Sequence, residues 1–399
     1  MRQAPPFVLI AVWWIAGCIA DDGRITRTEV GDTVAVASAR PLIGDTAELV
    51  LVTRFGAFDG TPENEFQAVG SFAVGADGSV FAFDADTGIK EFASDGAFRR
   101  WIARTGEGPW EVGYAPLLAV RGADLAAYDT RNARIAVFDI SSESAPRTHR
   151  RPSGLHRFGE DGLFFDADGE LWVGLTPDPP AQGPIELPRP IAARLDFDRG
   201  YVDTLFVPGR YHEQCPILSE RLYRAGGWED KREQWYPKVK WAMSGSGTLV
   251  FGCPRRFELD VLRPGEPLLR ISKPWTPAET TADERQFYEQ WWTPIPPLPE
   301  QRPAYARIVL AEDGRIWVWP EQASETLPYD DTSRQLTGRQ HGWVAAVHGA
   351  FEVFTPEGEW LGAVRVPESV AIRGDTVWAV MYDEIDVEYI GRFEVRWPR

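Results

Sequence analysis

Three cysteines and five histidines are the thiol and imidazole chemistry of this 399-residue chain. His149, His156, His212, His341 and His348 stand apart, none at the HxH or HExxH spacing that sets a metal between two rings. Cys215 and Cys253 have no histidine placed by sequence to activate them. They read either as two independent thiols or as one disulfide closing a loop of about 38 residues, worth about 3–4 kcal/mol on the chain-entropy argument. Asp166-Ala167-Asp168-Gly169 sets two carboxylates two residues apart and suggests calcium. It lacks the later acidic ligand of an EF-hand loop, and a type I′ hairpin asks for Asp-Gly on its own account. Asp375, Asp383, Glu384 and Asp386 crowd the last part of the chain, either as a cation site or as a solvated face. No metal ligand or cofactor is assigned, calcium being the one cation the pattern suggests. Trp228, Trp235, Tyr236, Trp291 and Trp292 gather in two irregular stretches. Exposed, they would stack on sugar or peptide; folded down, they would fill core.

The elements that must position these groups repeat one phrase. From Phe72 to Asp139 the chain alternates short apolar runs with tight Asp-Gly or Gly-Ala-Asp turns, which is the pattern of antiparallel hairpins. A first unit of four runs spans 68–104. A second covers 114–151. A third covers 156–207, stretched by a proline-rich piece at 177–190. A fourth covers 239–273, a fifth opens at Ala304 and includes the runs 343–347, 351–354 and 360–364, and a sixth covers 369–395. The sixth has only three runs. Two insertions, 209–236 and 276–303, interrupt the series. In the second, Thr281 and Glu284 have capping-box spacing. A helix from there would set Phe287 beside Trp291 and Tyr288 beside Trp292.

A lone strand pattern, Glu48–Arg54, precedes the first unit and has no neighbour. Added to the last unit it would make a fourth strand and join the two ends of the chain. The expectation is therefore an all-β fold: a six-bladed β-propeller of four-stranded antiparallel blades, closed by an N-terminal strand on the last blade, with a short helix in an insertion. Long insertions between propeller strands project from one end, where ligands bind.

At the N-terminus, Phe7–Ile15 is apolar but shorter than the roughly 20 residues of a membrane span. Ile15-Ala16-Gly17-Cys18 follows and resembles the bacterial lipobox. That resemblance implies a leader at 1–17, acylation of Cys18 and a membrane partner. It also implies outer-membrane sorting in a Gram-negative cell, because Ile19 stands in place of Asp. The polar stretch 18–45 reads as a tether and 46–399 as the propeller. Formal net charge is −17, which repels nucleic acid.

Three phrases, ADGSVFAFD, DADGELWVG and EDGRIWVWP, resemble the NHL-type repeat. Ala103–Glu111 is similar to the GRxGxGPGEF loop of bacterial six-bladed propellers of that type, with Trp110 in place of a glycine. The ending from Thr376 resembles that of lipoproteins in the same, largely uncharacterised, family. The resemblance implies the fold and an envelope address. The function expected is a monomeric, lipid-anchored, non-catalytic scaffold for a protein, peptide or glycan. The alternative is a divalent-metal-dependent lactonase- or lyase-type propeller enzyme, as some six-bladed propellers are. Cys18→Ser is expected to move the protein from the membrane to the soluble fraction, read by detergent partitioning and by the mass of the N-terminal peptide.

Overall fold

The computed structural model describes residues 25–398 except 45, 59, 151–154, 158–161, 175, 178–189, 207–210, 212–214, 216–220, 225–226, 231–238, 283–284, 286–299, 322–324, 327–342, 345–349, 367–369 and 384–386. Six antiparallel sheets follow one another along the chain. From the innermost strand outward, blade 1 is Val69–Val74, Val80–Asp84, Gly88–Phe92 and Phe98–Thr105. Blade 2 is Leu117–Arg121, Asp124–Asp129, Arg134–Asp139 and Arg147–Arg150. Blade 3 is Leu163–Phe165, Leu171–Gly174, Pro190–Asp196 and Gly200–Phe206. Blade 4 is Lys240–Met243, Leu249–Gly252, Glu258–Leu262 and Leu268–Ser272. Blade 5 is Tyr305–Leu310, Ile316–Pro320, Ala350–Phe354 and Trp360–Arg365. Blade 6 is Val370–Arg373, Thr376–Tyr382 and Glu388–Arg396, with Glu48–Phe55 as its outer strand.

Period-two alternation explains why the sheets stack. In Val80–Asp84, Phe81 and Phe83 point to one neighbour and pack with Leu125, Ala127 and Phe138 of blade 2. Val80 and Ala82 point the other way, to Trp378 and Ile390 of blade 6. Val80–Asp84 is thus buried on both faces, and the core is a set of seams between blades. The seam between blades 3 and 4 is different. There Tyr211 and Cys215, from the connection between them, pack with Leu249 and Phe251.

Closure follows the sequence expectation. Glu48–Phe55 pairs antiparallel with Glu388–Arg396, from Glu48↔Arg396 to Phe55↔Ile390. Phe55 is fully buried in the seam between blades 6 and 1. Two other expectations are corrected. The described part of the 18–45 stretch is not a tether but part of the fold. Ile25–Val30 and Thr33–Ser38 form a hairpin, and Thr33–Ser38 runs parallel to Leu268–Ser272 on the edge of blade 4. Val36 is drawn into the core there. The amides of Leu42 and Ile43 then bond the carbonyls of Trp360 and Leu361 at 2.9 and 2.8 Å on the edge of blade 5. Of the run 343–347, the described part, Trp343–Val344, is not in a blade strand. Trp343–Val344 pairs with Glu325–Thr326 in a separate ribbon, because Tyr305–Leu310 already fills the inner place of blade 5.

The tight turns also differ in detail. Gly78, Gly169, Gly247 and Gly314 have φ of 81–86°. Among the described residues Ala133 is the one non-glycine at positive φ, so each Asp-Gly turn uses one left-handed residue rather than the two of type I′. Phe55→Ala is expected to lower the free energy of unfolding by about 3–5 kcal/mol, measured by urea denaturation. Exposed Leu51→Ala on the same strand should stay within about 0.5 kcal/mol of the parent.

Candidate functional site

Antiparallel blades place their connections at two ends of the ring. At one end lie the turns between first and second strands and between third and fourth strands, all short: 75–79, 93–97, 122–123, 166–170, 244–248, 311–315 and 374–375 are examples. At the other end lie the connections from second to third strand and from blade to blade. These include 56–68, 106–116, 175–189, 207–239, 273–304 and 321–349. Every long connection of the propeller therefore leaves and re-enters the sheets at one end. We call it the insertion-bearing end.

Exposed aromatic side chains follow the same division. Among the described residues, Phe58, Trp110, Tyr114 and Tyr382 are the large exposed aromatics, and all belong to or border connections of that end. Phe58 is 66 % exposed in the connection entering blade 1. Tyr114 is 45 % exposed. Its ring rests edge-on against Phe83 at 5.8 Å, and its amide bonds Asp129 Oδ1 at 3.2 Å. The Tyr382 hydroxyl donates to Glu388 Oε1 at 2.6 Å, while the other oxygen of Glu388 accepts from the Val69 amide. Tyr382 and Tyr114 thus approach the first strand of blade 1 from its two sides, the Ser71 hydroxyl donating to the Ala115 carbonyl at 2.6 Å. Trp110 is drawn down the flank of the ring against Phe138.

Carboxylates here hold loops. Asp84, the last residue of its strand, is fully buried. It accepts from Thr87 Oγ1 at 2.7 Å, from the Asp86 and Ala68 amides, and from Lys90 Nζ at 3.0 Å. Lys90, also fully buried, donates to the Glu65 carbonyl and lies over the rings of Phe66 and Trp101. Burial pushes the Lys90 ammonium down, against the pull of the Asp84 carboxylate. Asp129 takes the same place in blade 2, accepting from the amides of Gly113, Tyr114 and Asn132. Asp84 and Asp129 each clip an incoming connection to their blade. In blade 6, Asp383 instead ties down the outer strand through Arg54 at 2.8 Å and closes its own loop on the Val387 amide. The sequence reading missed these residues, although the phrases FDADTG, YDTRNA and YDEID carried the signal.

The candidate residues from sequence fall as follows. Cys215 and Cys253 are joined in a disulfide, Cα to Cα 5.7 Å. It pins the connection between blades 3 and 4 to the turn after Gly252. Beside it the Tyr211 hydroxyl donates to buried Asp260, which also accepts from Arg270 at 2.8 Å. Asp166 spends both oxygens within its own hairpin, on the amides of Asp168 and Glu170 and on Trp172 Nε1. Asp375 pairs with Arg315 at the short-turn end, away from Asp383, so the acidic crowd of blade 6 is split; Glu384 and Asp386 lie outside the described residues. Among the described residues no three His, Cys, Asp or Glu side chains gather as a metal would need. His149 packs edge-on against Phe197 and Tyr201. The Arg285 amide bonds the Thr281 carbonyl at 3.2 Å, as the expected helix start requires. Trp228 falls in the strand Gly227–Asp230, paired to Arg221–Arg224. Trp235, Tyr236, Trp291, Trp292 and Cys18 lie outside the described residues.

The chain matches no protein-family model and no curated protein. Solved structures do match. A member of the DUF4221 family from Bacteroides vulgatus aligns over 88 % of this chain and 99 % of its own, at 13 % identity and a TM-score of 0.53. The shared feature is the fold. An exported-class protein of Bacteroides fragilis aligns over 91 % of this chain and 99 % of its own, at 10 % identity and a TM-score of 0.49. Streptogramin B lyase aligns over 88 % and 98 %, at 11 % identity and a TM-score of 0.39. Identities this low speak of architecture and not of chemistry.

Lys90→Ala leaves the Asp84 carboxylate buried without its cation. It is expected to cost about 3–5 kcal/mol of stability and to raise protease sensitivity in the 56–68 connection, read by denaturant unfolding and limited proteolysis.

Proposed function

We propose that this chain is an exported, lipid-anchored β-propeller that binds a protein, peptide or glycan on its insertion-bearing end and does no chemistry on it. One observation carries the reading. Among the described residues, long connections and exposed aromatic rings are confined to a single end of a ring whose other end is made of tight turns. Rings held from behind, as Tyr114 is by Phe83, offer a flat apolar face at low entropic cost, which suits stacking on a sugar or an aromatic or proline-containing peptide. Asp84, Asp129 and Asp383 at this end are occupied by backbone amides and by Lys or Arg partners, which suits a rigid mount more than a reacting group. The lipobox-like Cys18 supports export.

The test is a titration of the purified protein with soluble oligosaccharides and unstructured peptides, read by tryptophan fluorescence and calorimetry. One class should bind saturably. Tyr114→Ala and Tyr382→Ala should each weaken it by about tenfold or more, the loss expected of a contact residue in a binding centre. Ala97→Ser, at the short-turn end, should leave it unchanged. Turnover of a lactone or a cyclic depsipeptide that depends on added Ca²⁺ or Mg²⁺ would replace this reading by the enzyme alternative.

A further inference from the structure

Every blade ends in an outer strand, and an outer strand left flat and bare is a template for another chain. Five of the six outer edges are blunted or covered. In blade 1 the register of Phe98–Thr105 shifts twice, and Glu111–Val112 pairs parallel with its end. The outer strand of blade 2 has only four residues. In blade 3 the pairing of Gly200–Phe206 also shifts twice. The outer strand of blade 5 receives the amides of Leu42, Ile43 and Ala47. That of blade 6 carries a shift between Leu51 and Thr53. Such irregularities bend an edge away from a partner. Blade 4 differs. Thr33–Ser38 covers its outer strand, but the cover brings an edge of its own, Ile25–Val30. That strand is paired in unbroken register from Ile25↔Ser38 to Val30↔Thr33, and no described strand lies on its outer side.

Hydrogen-bond phase decides which groups this edge offers. The Leu268 amide donates to the Asp32 carbonyl at 2.9 Å. Asp32, Val34 and Val36 therefore turn their backbone groups to blade 4, and Thr33, Ala35 and Ala37 turn theirs to Ile25–Val30. The partners of those three, Val30, Thr28 and Thr26, bond inward. Ile25, Arg27 and Glu29 are left with amides and carbonyls facing out.

The sequence of the edge complements itself. Residues opposite each other across antiparallel strands share one phase, so two copies of this strand related by a twofold axis must centre on a residue. Centred on Thr28, the Arg27 of each copy stands opposite the Glu29 of the other, and both pairs exchange backbone bonds. Centred on Arg27 or on Glu29, like charges meet at the axis, which is unfavourable. Arg27 and Glu29 are both exposed. In the Thr28 register Val30, 69 % exposed, faces Thr26 of the other copy, and Thr28 meets Thr28.

We propose that the propeller forms a twofold dimer through Ile25–Val30, in place of the monomer expected from sequence, with Arg27 and Glu29 pairing reciprocally and the two blade 4 sheets joined as one. The occupant of the edge is a second copy because residues 26–30 supply both halves of the match. The dimer stands independently of what the insertion-bearing end binds.

The test uses the full chain carrying Cys18→Ser, so that no acyl chain holds two copies together. Sedimentation at rising concentration should show a monomer–dimer equilibrium. Arg27→Glu or Glu29→Arg sets like charges opposite each other on both sides of the axis and should weaken the dimer by about tenfold. The double exchange Arg27→Glu/Glu29→Arg restores opposite charges in the same register and should restore the dimer. In this background Cys215 and Cys253 are already bonded to each other. Thr28→Cys would sit on the axis with its Cα about 4.5 Å from its counterpart, within disulfide reach, and should cross-link on oxidation. Thr26→Cys, displaced along the strand from its own counterpart, should not. Protein that stays monomeric at every concentration, or a dimer indifferent to the charge exchange, overturns the proposal. Equal cross-linking at the two sites overturns it as well.

Discussion

A row of sheets that each hide one face behind the next has two bare ends, and here those ends are joined by eight residues, Glu48–Phe55. The bond is between parts of the chain more than three hundred residues apart, which on logarithmic loop scaling costs about 5 kcal/mol of chain entropy. One buried phenylalanine, Phe55, returns about 1.5–3 kcal/mol. The remainder must come from the backbone ladder, which has seven registered residue pairs, and from the apolar neighbours it brings together across the seam of blades 6 and 1. Without that strand, Trp378 and Ile390 of blade 6 and Val80 and Phe92 of blade 1 would face water at the margin of an open stack.

Closure is prepared by the residues just before it. The same N-terminal segment lies first on the edge of blade 4, then of blade 5, and only then becomes the outer strand of blade 6. It covers successive edges that would otherwise present unpaired backbone to other chains. It also brings the closing strand to its site already aligned, because each contact shortens the loop that the next must close. A ring sealed at its ends can leave its connections free to vary. In this protein the variation is all at one end.

That division gives the acidic residues their meaning. A chain this negative invites a cation site, but near the C-terminus Asp375 pairs with Arg315 and Asp383 with Arg54. Asp84 and Asp129 each end a second strand and receive donors from the connection that passes over it, while Asp383, one residue past Thr376–Tyr382, holds Arg54 of the closing strand. Asp166 closes its own hairpin, and Asp375 holds Arg315 at the opposite end. Asp84, Asp129 and Asp383 fix connections that carry or border Phe58, Tyr114 and Tyr382. Between blades 4 and 5, burial likewise pushes the Glu352 carboxyl up, with Lys273 Nζ 3.2 Å away opposing the shift.

Local alternation and turn residues were enough to read the blades, because side chains two apart share a face and an Asp-Gly turn needs nothing beyond its own few residues. The spare strand near Val50 was legible for a similar reason: a sheet short of one strand leaves a gap that a count can find. Residues that answer to distant partners were not legible. Thr33–Ala37 read as a short run in a tether, because its parallel partner, Leu268–Ser272, is more than two hundred positions away. The strand at Trp343 was misplaced because several apolar runs compete for four places in blade 5. The joining of Cys215 to Cys253 and the common end shared by Tyr114 and Tyr382 depend on how the ring is closed. Pattern within a strand sets its faces; only packing between strands decides which groups meet.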